Sequence, residues 1–267
     1  MRRFFFRFLP FALVLAFLQS TKGLQAQQSV RPESEIAIRD SSYLRMLNEK
    51  AAEFLASGRM DSAYTSIQKA LSLSEILNDP DGRAYALSNL GNYYLSRGLP
   101  DSTIANLSSA YQELKSTSRG SHLGNILATA YYRIDNFDES LRLYREALDI
   151  ARRQDNARLQ AAITQNMGNT YSDLGEMPDA VDSYLKSLEL AEALGDSNTI
   201  AVVLDNLGTI NTDENNFELA EEYLLKALDM SRDLGNPNYK ITNHMNLGIL
   251  YKEMGRYEES QAEYEQA

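Results

Sequence analysis

Between Asn166 and Leu188 the chain reads NMGNTYSDLGEMPDAVDSYLKSL, and its apolar and small residues fall at helical spacing as far as Leu174. Gly175 then breaks the pattern as a helix C-terminus does. Pro178 stands where a first helical turn tolerates proline, and Ala180, Val181, Tyr184, Leu188 and Leu190 form a second amphipathic stripe. The pattern predicts two helices joined by a tight turn. Gly168 and Ala180 are small where the two helices must approach, and Tyr171 and Tyr184 fill the space beside them. One such hairpin cannot bury both of its faces, so it needs neighbours.

The neighbours are present as an internal repeat. The small-residue slot recurs at Ala51, Gly91, Ala128, Gly168, Gly208 and Gly248, with intervals of 40, 37, 40, 40 and 40 residues. A second slot, at Ala70, Ala110, Ala147, Ser187, Ala227 and Ala267, keeps step with it. Turn signals separate the hairpins at Asp79-Pro80-Asp81-Gly82, Arg119-Gly120-Ser121, Gly195-Asp196-Ser197 and Gly235-Asn236-Pro237. The single shorter interval fits a trimmed loop around Ser116 to Ser121. The expected fold is all-α, a solenoid of about six helix-turn-helix repeats over residues 43–267, the last of them cut short.

From Leu44 to Ala267 the pattern resembles the tetratricopeptide repeat, in a form of about 40 residues rather than the usual 34 or so. The resemblance implies a right-handed α-solenoid whose first helices line a concave groove and whose second helices form the convex back. Departures from the family pattern are Asn211 for the first-helix aromatic, Thr103 and Ser187 for alanines, Lys50 for a leucine, and the absence of any Trp. The chain ends at Ala267 on the closing alanine, where every earlier repeat runs on. A solenoid normally finishes with a polar cap, so a longer gene product is the expectation.

Ahead of the repeats, Arg2, Arg3 and Arg7 give a basic start, Phe8 to Leu18 is an apolar run, and a polar stretch ends at Ala26. Residues 1–26 are read as a signal peptide and 27–42 as a linker, which predicts export to a periplasmic or extracellular location. The apolar run falls short of the roughly 18 residues that a membrane span needs. There is no Cys, which excludes disulfides, thiolate metal sites and a lipid-modified cysteine. Arg2, Arg3, Arg7 and Lys22 leave with the signal, so 22 basic residues remain against 37 acidic ones, a net charge of −15. Such a chain is not expected to bind nucleic acid, and a membrane is expected to hold it only through a downstream anchor.

The groove is where partners would bind. Asn89, Asn166, Asn206 and Asn246 share one slot two residues before the small residue, about 200° around the helix from it. Asn is a poor helix former and caps nothing in mid-helix. One turn on stand Asn92, Thr129, Asn169 and Thr209, and one residue earlier Ser88, Asn125, Gln165 and Asp205. An amide both donates and accepts, which suits the backbone of an extended peptide. The resemblance also implies contact between this Asn slot and a bound segment. The same amides suit bonds between neighbouring repeats, and the sequence leaves both roles open. Asp173, Asp213 and Glu253 make one groove edge acidic, favouring a neutral or basic peptide, whereas Arg133 and Lys252 are too isolated to clamp a carboxylate.

Nothing in the sequence assembles a catalytic group or a cofactor site. The two histidines, His122 and His244, are far apart without Cys, and Asn78 to Gly82 resembles a calcium loop but reads as a turn, since Ser88 stands where a carboxylate is needed. The leading expectation is a protein- or peptide-binding scaffold, the extracytoplasmic sensory or interaction region of a larger protein with a histidine kinase or DNA-binding output. The alternatives are a freestanding adaptor for complex assembly and the docking arm of an enzyme encoded beyond Ala267.

Overall fold

The computed structural model describes residues 33–234 and 237–267, which form twelve α-helices, with no strand among the described residues. The expected signal peptide and the first part of the linker lie outside them, as do Gly235 and Asn236 of one expected turn. The first helices of the six hairpins are α1 (Glu33–Ala56), α3 (Pro80–Ser96), α5 (Gly120–Tyr132), α7 (Ala157–Asp173), α9 (Ser197–Asp213) and α11 (Pro237–Glu253). Their partners are α2 (Met60–Ile76), α4 (Pro100–Leu114), α6 (Phe137–Arg153), α8 (Met177–Leu194), α10 (Phe217–Leu234) and α12 (Tyr257–Tyr264).

Each first helix packs against the first helix of the next hairpin, while among the described residues the backbones of successive second helices stay apart and meet through side chains, as Lys115 Nζ at the end of α4 does with Glu146 Oε1 of α6 at 2.8 Å. The first helices are therefore crowded on the inside of a curve and the second helices spread on the outside. This is the all-α solenoid expected from the repeat.

Within each hairpin the small slot lets the helices meet. A Cβ placed on Gly168 would lie 2.6 Å from the Tyr184 ring, one on Gly208 2.5 Å from Leu224, and one on Gly91 2.9 Å from Leu107. In each pair the larger residue stands 16 positions after the small one. The alanines Ala63, Ala180 and Ala220 complete the contact and are fully buried. The departures from the family pattern satisfy their own polar atoms. Thr103 donates to the Gly91 carbonyl (3.4 Å), Ser187 to that of Ala161 (2.8 Å) and Asn211 to that of Leu207 (2.7 Å).

All six first helices end in the same way. Gly58, Gly98, Asp135, Gly175, Asn215 and Gly255 occupy the left-handed region, with φ between 58° and 77°. The N–H that follows each reaches back five residues to a carbonyl, as Glu176 does to Tyr171 at 2.9 Å, the bonding of a Schellman motif. Asp and Asn are the non-glycine residues that tolerate this conformation best. The suspected calcium loop is a turn: Asn78 is left-handed, and the Asp79 carboxylate accepts the Gly82 N–H at 2.9 Å as an N-cap.

Three boundaries differ from expectation. Helix α1 begins at Glu33, so residues 33–42 are helical rather than linker, because a nucleated helix extends through Glu, Ala and Arg without needing an apolar stripe. At the other end α12 stops at Tyr264, which leaves Ala267 exposed and outside the helix it was expected to close. The short interval trims α4 and α5 as well as their loop, and Gly120 sits so close to Lys115 that a Cβ there would lie 2.0 Å from its carbonyl oxygen.

Replacing Gly168 with Ala pushes a methyl group into the Tyr184 ring, and we expect a loss of about 1–3 kcal/mol of stability. Thermal unfolding followed by circular dichroism checks this, and an unchanged midpoint would contradict the assigned helix contact.

Candidate functional site

The groove face is built from side chains on consecutive first helices, and its most regular feature is a lateral bond from each Asn slot to the preceding repeat. Asn89 Nδ2 donates to the Asn48 carbonyl (3.0 Å), Asn166 Nδ2 to Asn125 Oδ1 (3.1 Å), Asn206 Nδ2 to Asn169 Oδ1 (3.1 Å) and Asn246 Nδ2 to Asp205 Oδ2 (2.9 Å). The third repeat lacks Asn here. Its Ile126 side chain instead lies where a Cβ on Gly91 would be met at 2.6 Å, and Arg133 donates to the Leu95 carbonyl (2.6 Å) across the same junction.

These amides therefore do not face simply away from the packing, as rotation about an isolated helix suggests. A solenoid adds a second packing side, and the slot points along the groove toward the previous repeat. Asn89 and Asp205 are buried, and Asn166, Asn206 and Asn246 are half-buried. The Oδ1 atoms of Asn166, Asn206 and Asn246 accept no hydrogen bond from the described residues.

The neighbouring slots divide by what stands opposite. Where the second helix supplies a core tyrosine, the first helix accepts or shares its hydroxyl: Tyr184 Oη donates to Asn169 Oδ1 (2.7 Å), and Tyr144 Oη pairs with Thr129 Oγ1 (2.9 Å). Where it supplies Leu107 or Leu224, the matching Asn92 and Thr209 are exposed. Thr209 bonds only to its own helix, at the Asp205 carbonyl (3.0 Å). Neither Asn92 nor the half-buried Gln165 has a side-chain partner among the described residues, and Asn125 is half-buried beneath its bond from Asn166.

Asp205 is the buried charge of the groove. It accepts from Asn243 (2.6 Å) as well as from Asn246, and burial raises its pKa above the ordinary carboxylate value while the two amides pull it down. Sequence reasoning missed Asn243. The available signal was its register, since the same slot holds Ala86, Leu123, Ile163 and Val203 in the preceding repeats. The acidic edge is exposed, with Asp173 accepting the Tyr132 hydroxyl at 2.5 Å. Further along the groove face, His122 is half-buried with Nδ1 unpartnered, and burial, helped by the nearby Arg119 charge, lowers its pKa to about 4.

Among the described residues no three His, Asp or Glu side chains gather into a metal-sized cluster, and no helix is long and apolar enough to cross a membrane.

The chain belongs to the tetratricopeptide repeat family, whose profile matches residues 118–193 and 199–267. No curated protein sequence matches it. Among solved structures, BtubC (BKLC) from P. vanneervenii is similar with a TM-score of 0.64 at 18% identity, over 83% of this chain and 88% of that one. RapI in its apo form gives 0.65 at 14% identity, over 84% and 96%. The apo form of the quorum sensor NprR from B. thuringiensis gives 0.67 at 16%, over 94% and 69%. At these identities the likeness is one of fold. The family to which the chain belongs is one of repeat scaffolds that generally mediate protein interactions.

The buried His122 generates a prediction about pH. Its folded pKa of about 4 lies below the reference value of 6.5, so acid protonates the unfolded chain first. Stability is complete above pH 6.5 and falls as the pH drops toward 4, by an upper bound of roughly 3 kcal/mol from this group. Comparing unfolding midpoints of the wild type and His122→Gln across that window isolates the effect, because the variant should lose less stability on acidification. Parallel pH profiles would contradict it.

Proposed function

We propose that the chain is the ligand-sensing or interaction region of an exported signalling protein, and that it holds an extended segment of a partner protein in its groove. The observation that carries this reading is the row of unused amide groups along the stacked first helices. Asn166, Asn206 and Asn246 each spend an N–H on the preceding repeat, which fixes the amide and leaves its oxygen without a partner among the described residues. Asn92 and Gln165 lie along the same face with both donor and acceptor unspent. A fixed row of acceptors suits the N–H groups of an extended backbone, and the entropy of fixing those side chains is already met by the fold.

Charge narrows the partner. The exposed carboxylates of Asp173, Asp213 and Glu253 and the net charge of −15 without the signal favour a neutral or basic segment. The sensory role draws support from the architecture of the quorum sensor NprR, and the extracytoplasmic location from the basic, apolar and polar order of residues 1–26. A histidine kinase or DNA-binding output encoded downstream completes this reading. The groove itself needs no catalytic group.

Peptides selected by display on residues 27–267 provide the test. Gln165→Ala combined with Asn92→Ala should weaken the selected peptides by about three- to thirtyfold with an unchanged melting temperature, since neither side chain has a partner within the fold. Asn166→Ala with Asn206→Ala should lower both affinity and stability, the latter by about 1–3 kcal/mol, because those amides also join repeats. Peptides that bind the first double variant as tightly as the wild type would remove the groove from this role.

Export has its own check. In a bacterial host, the secreted protein is expected to begin at Gln27, and recovery of the intact chain with Met1 from the cytoplasm would contradict it.

A further inference from the structure

Between α9 and α11 the groove deepens into a cleft of about 210 Å³, walled by Ala201, Val202, Tyr239 and Thr242 and floored by Asp205 and Asn243. Its polar lining is unbalanced. The Asp205 carboxylate is 9% exposed and forms no ion pair with any described Lys or Arg. It is held by two neutral amides, each bonded to a different oxygen. Asn243 is only 3% exposed, and its orientation is fixed because its Nδ2 must face the carboxylate at 2.6 Å. The Oδ1 of that amide is thereby left buried without a partner among the described residues.

A carboxylate without a counter-charge and a buried carbonyl without a donor call for the same complement, a positively charged group with several N–H donors. A primary ammonium has three, on a compact charge, enough to serve both acceptors. A guanidinium gains its advantage from a bidentate grip on a free carboxylate, and here each oxygen already carries an Asn donor. A hard metal ion needs about six oxygen ligands, more than this floor supplies.

We propose that this cleft is a subsite for a protonated primary amine, a lysine side chain or an amino terminus, bound between the Asp205 carboxylate and the Asn243 carbonyl oxygen. The inference rests on the groove reading above, since the cleft opens on the same face, and it assigns the feature of the ligand that fixes its register. An extended segment slides easily along a row of equivalent amides. One charged anchor at the last junction stops it.

The test is a titration of isotope-labelled residues 27–267, following the side-chain amide signals of Asn243 and Asn246 by NMR. N-acetyl-lysine amide represents the side-chain source, glycinamide the terminal source, and N-acetyl-norleucine amide the same length without charge. Saturable shifts with at least one amine and none with norleucine are expected, and which amine acts identifies the source. Asp205→Asn should weaken the amine by about tenfold or more. Because that variant sets a new amide against two existing ones and risks misfolding, Val202→Phe serves as the second. It narrows the cleft from its wall, leaves the carboxylate in place, and should also abolish the shifts in a protein of unchanged helicity.

Equal binding of norleucine and lysine derivatives, or no response from Asn243 to either amine, would overturn the proposal. Failure here is separable from failure of the groove reading. Selected peptides that keep their affinity when lysine is replaced by norleucine and their amino terminus is acetylated remove the subsite and leave the groove. Saturation by an amine with no peptide ever selected removes the groove and leaves the subsite.

Discussion

The distance between paired helices is set where a side chain is missing, and most of the structure depends on that contact. Tyr184 packs its ring against the backbone of Gly168, and Leu224 packs its branched end against Gly208. A glycine in mid-helix costs roughly 0.5–1 kcal/mol relative to alanine, so its place here has to be returned by packing. Close approach returns it by bringing two backbones within reach of one buried aromatic or aliphatic side chain. Once that distance is set, the next hairpin meets a surface of fixed shape. The apolar layer then runs without a break from Ala51 in the first repeat to Ile210 in the fifth.

A second economy concerns polar atoms. Burying a tyrosine in the hairpin brings a hydroxyl with it, and the first helix answers with Asn169 or Thr129. Leucine in the same position makes no such demand, and Asn92 and Thr209 are left to solvent. The left-handed residues follow a similar logic, because the backbone reversal is the same in every repeat while its occupant alternates among Gly, Asp and Asn. The repeat conserves a geometry and several side-chain chemistries satisfy it.

The architecture was legible because its signals are local and recur. The Gly and Ala slots kept register across six copies, and the αL position after each first helix was marked by Gly in four of them. The early start of α1 was not legible, since no apolar periodicity marks residues 33–42. The groove was half-legible. Counting residues around one helix showed that Asn166 and Asn206 leave the hairpin interface, but the direction in which the preceding repeat lies is a property of the superhelix and not of any one helix. Ile126 was the available clue, because an apolar residue in that slot argues for a packed neighbour. Asp205 was visible as an acid among amides. Its burial and its second partner, Asn243, follow from the stacking of α11 on α9, which a linear reading does not supply.

The wide spacing of successive second helices has a mechanical side. The back of the solenoid can open or close by rotating hairpins about the groove more readily than the inner face can, because successive second helices are joined there by side chains such as Lys115 and Glu146 and not by close backbone packing. Its curvature is then governed by the rungs on the inner face, where one amide at each of several junctions joins neighbours. Small rotations at five junctions add along the stack and move one end of the molecule relative to the other. A segment lying across those rungs would set the pitch of the whole coil, and the ends of the solenoid would report what the middle holds.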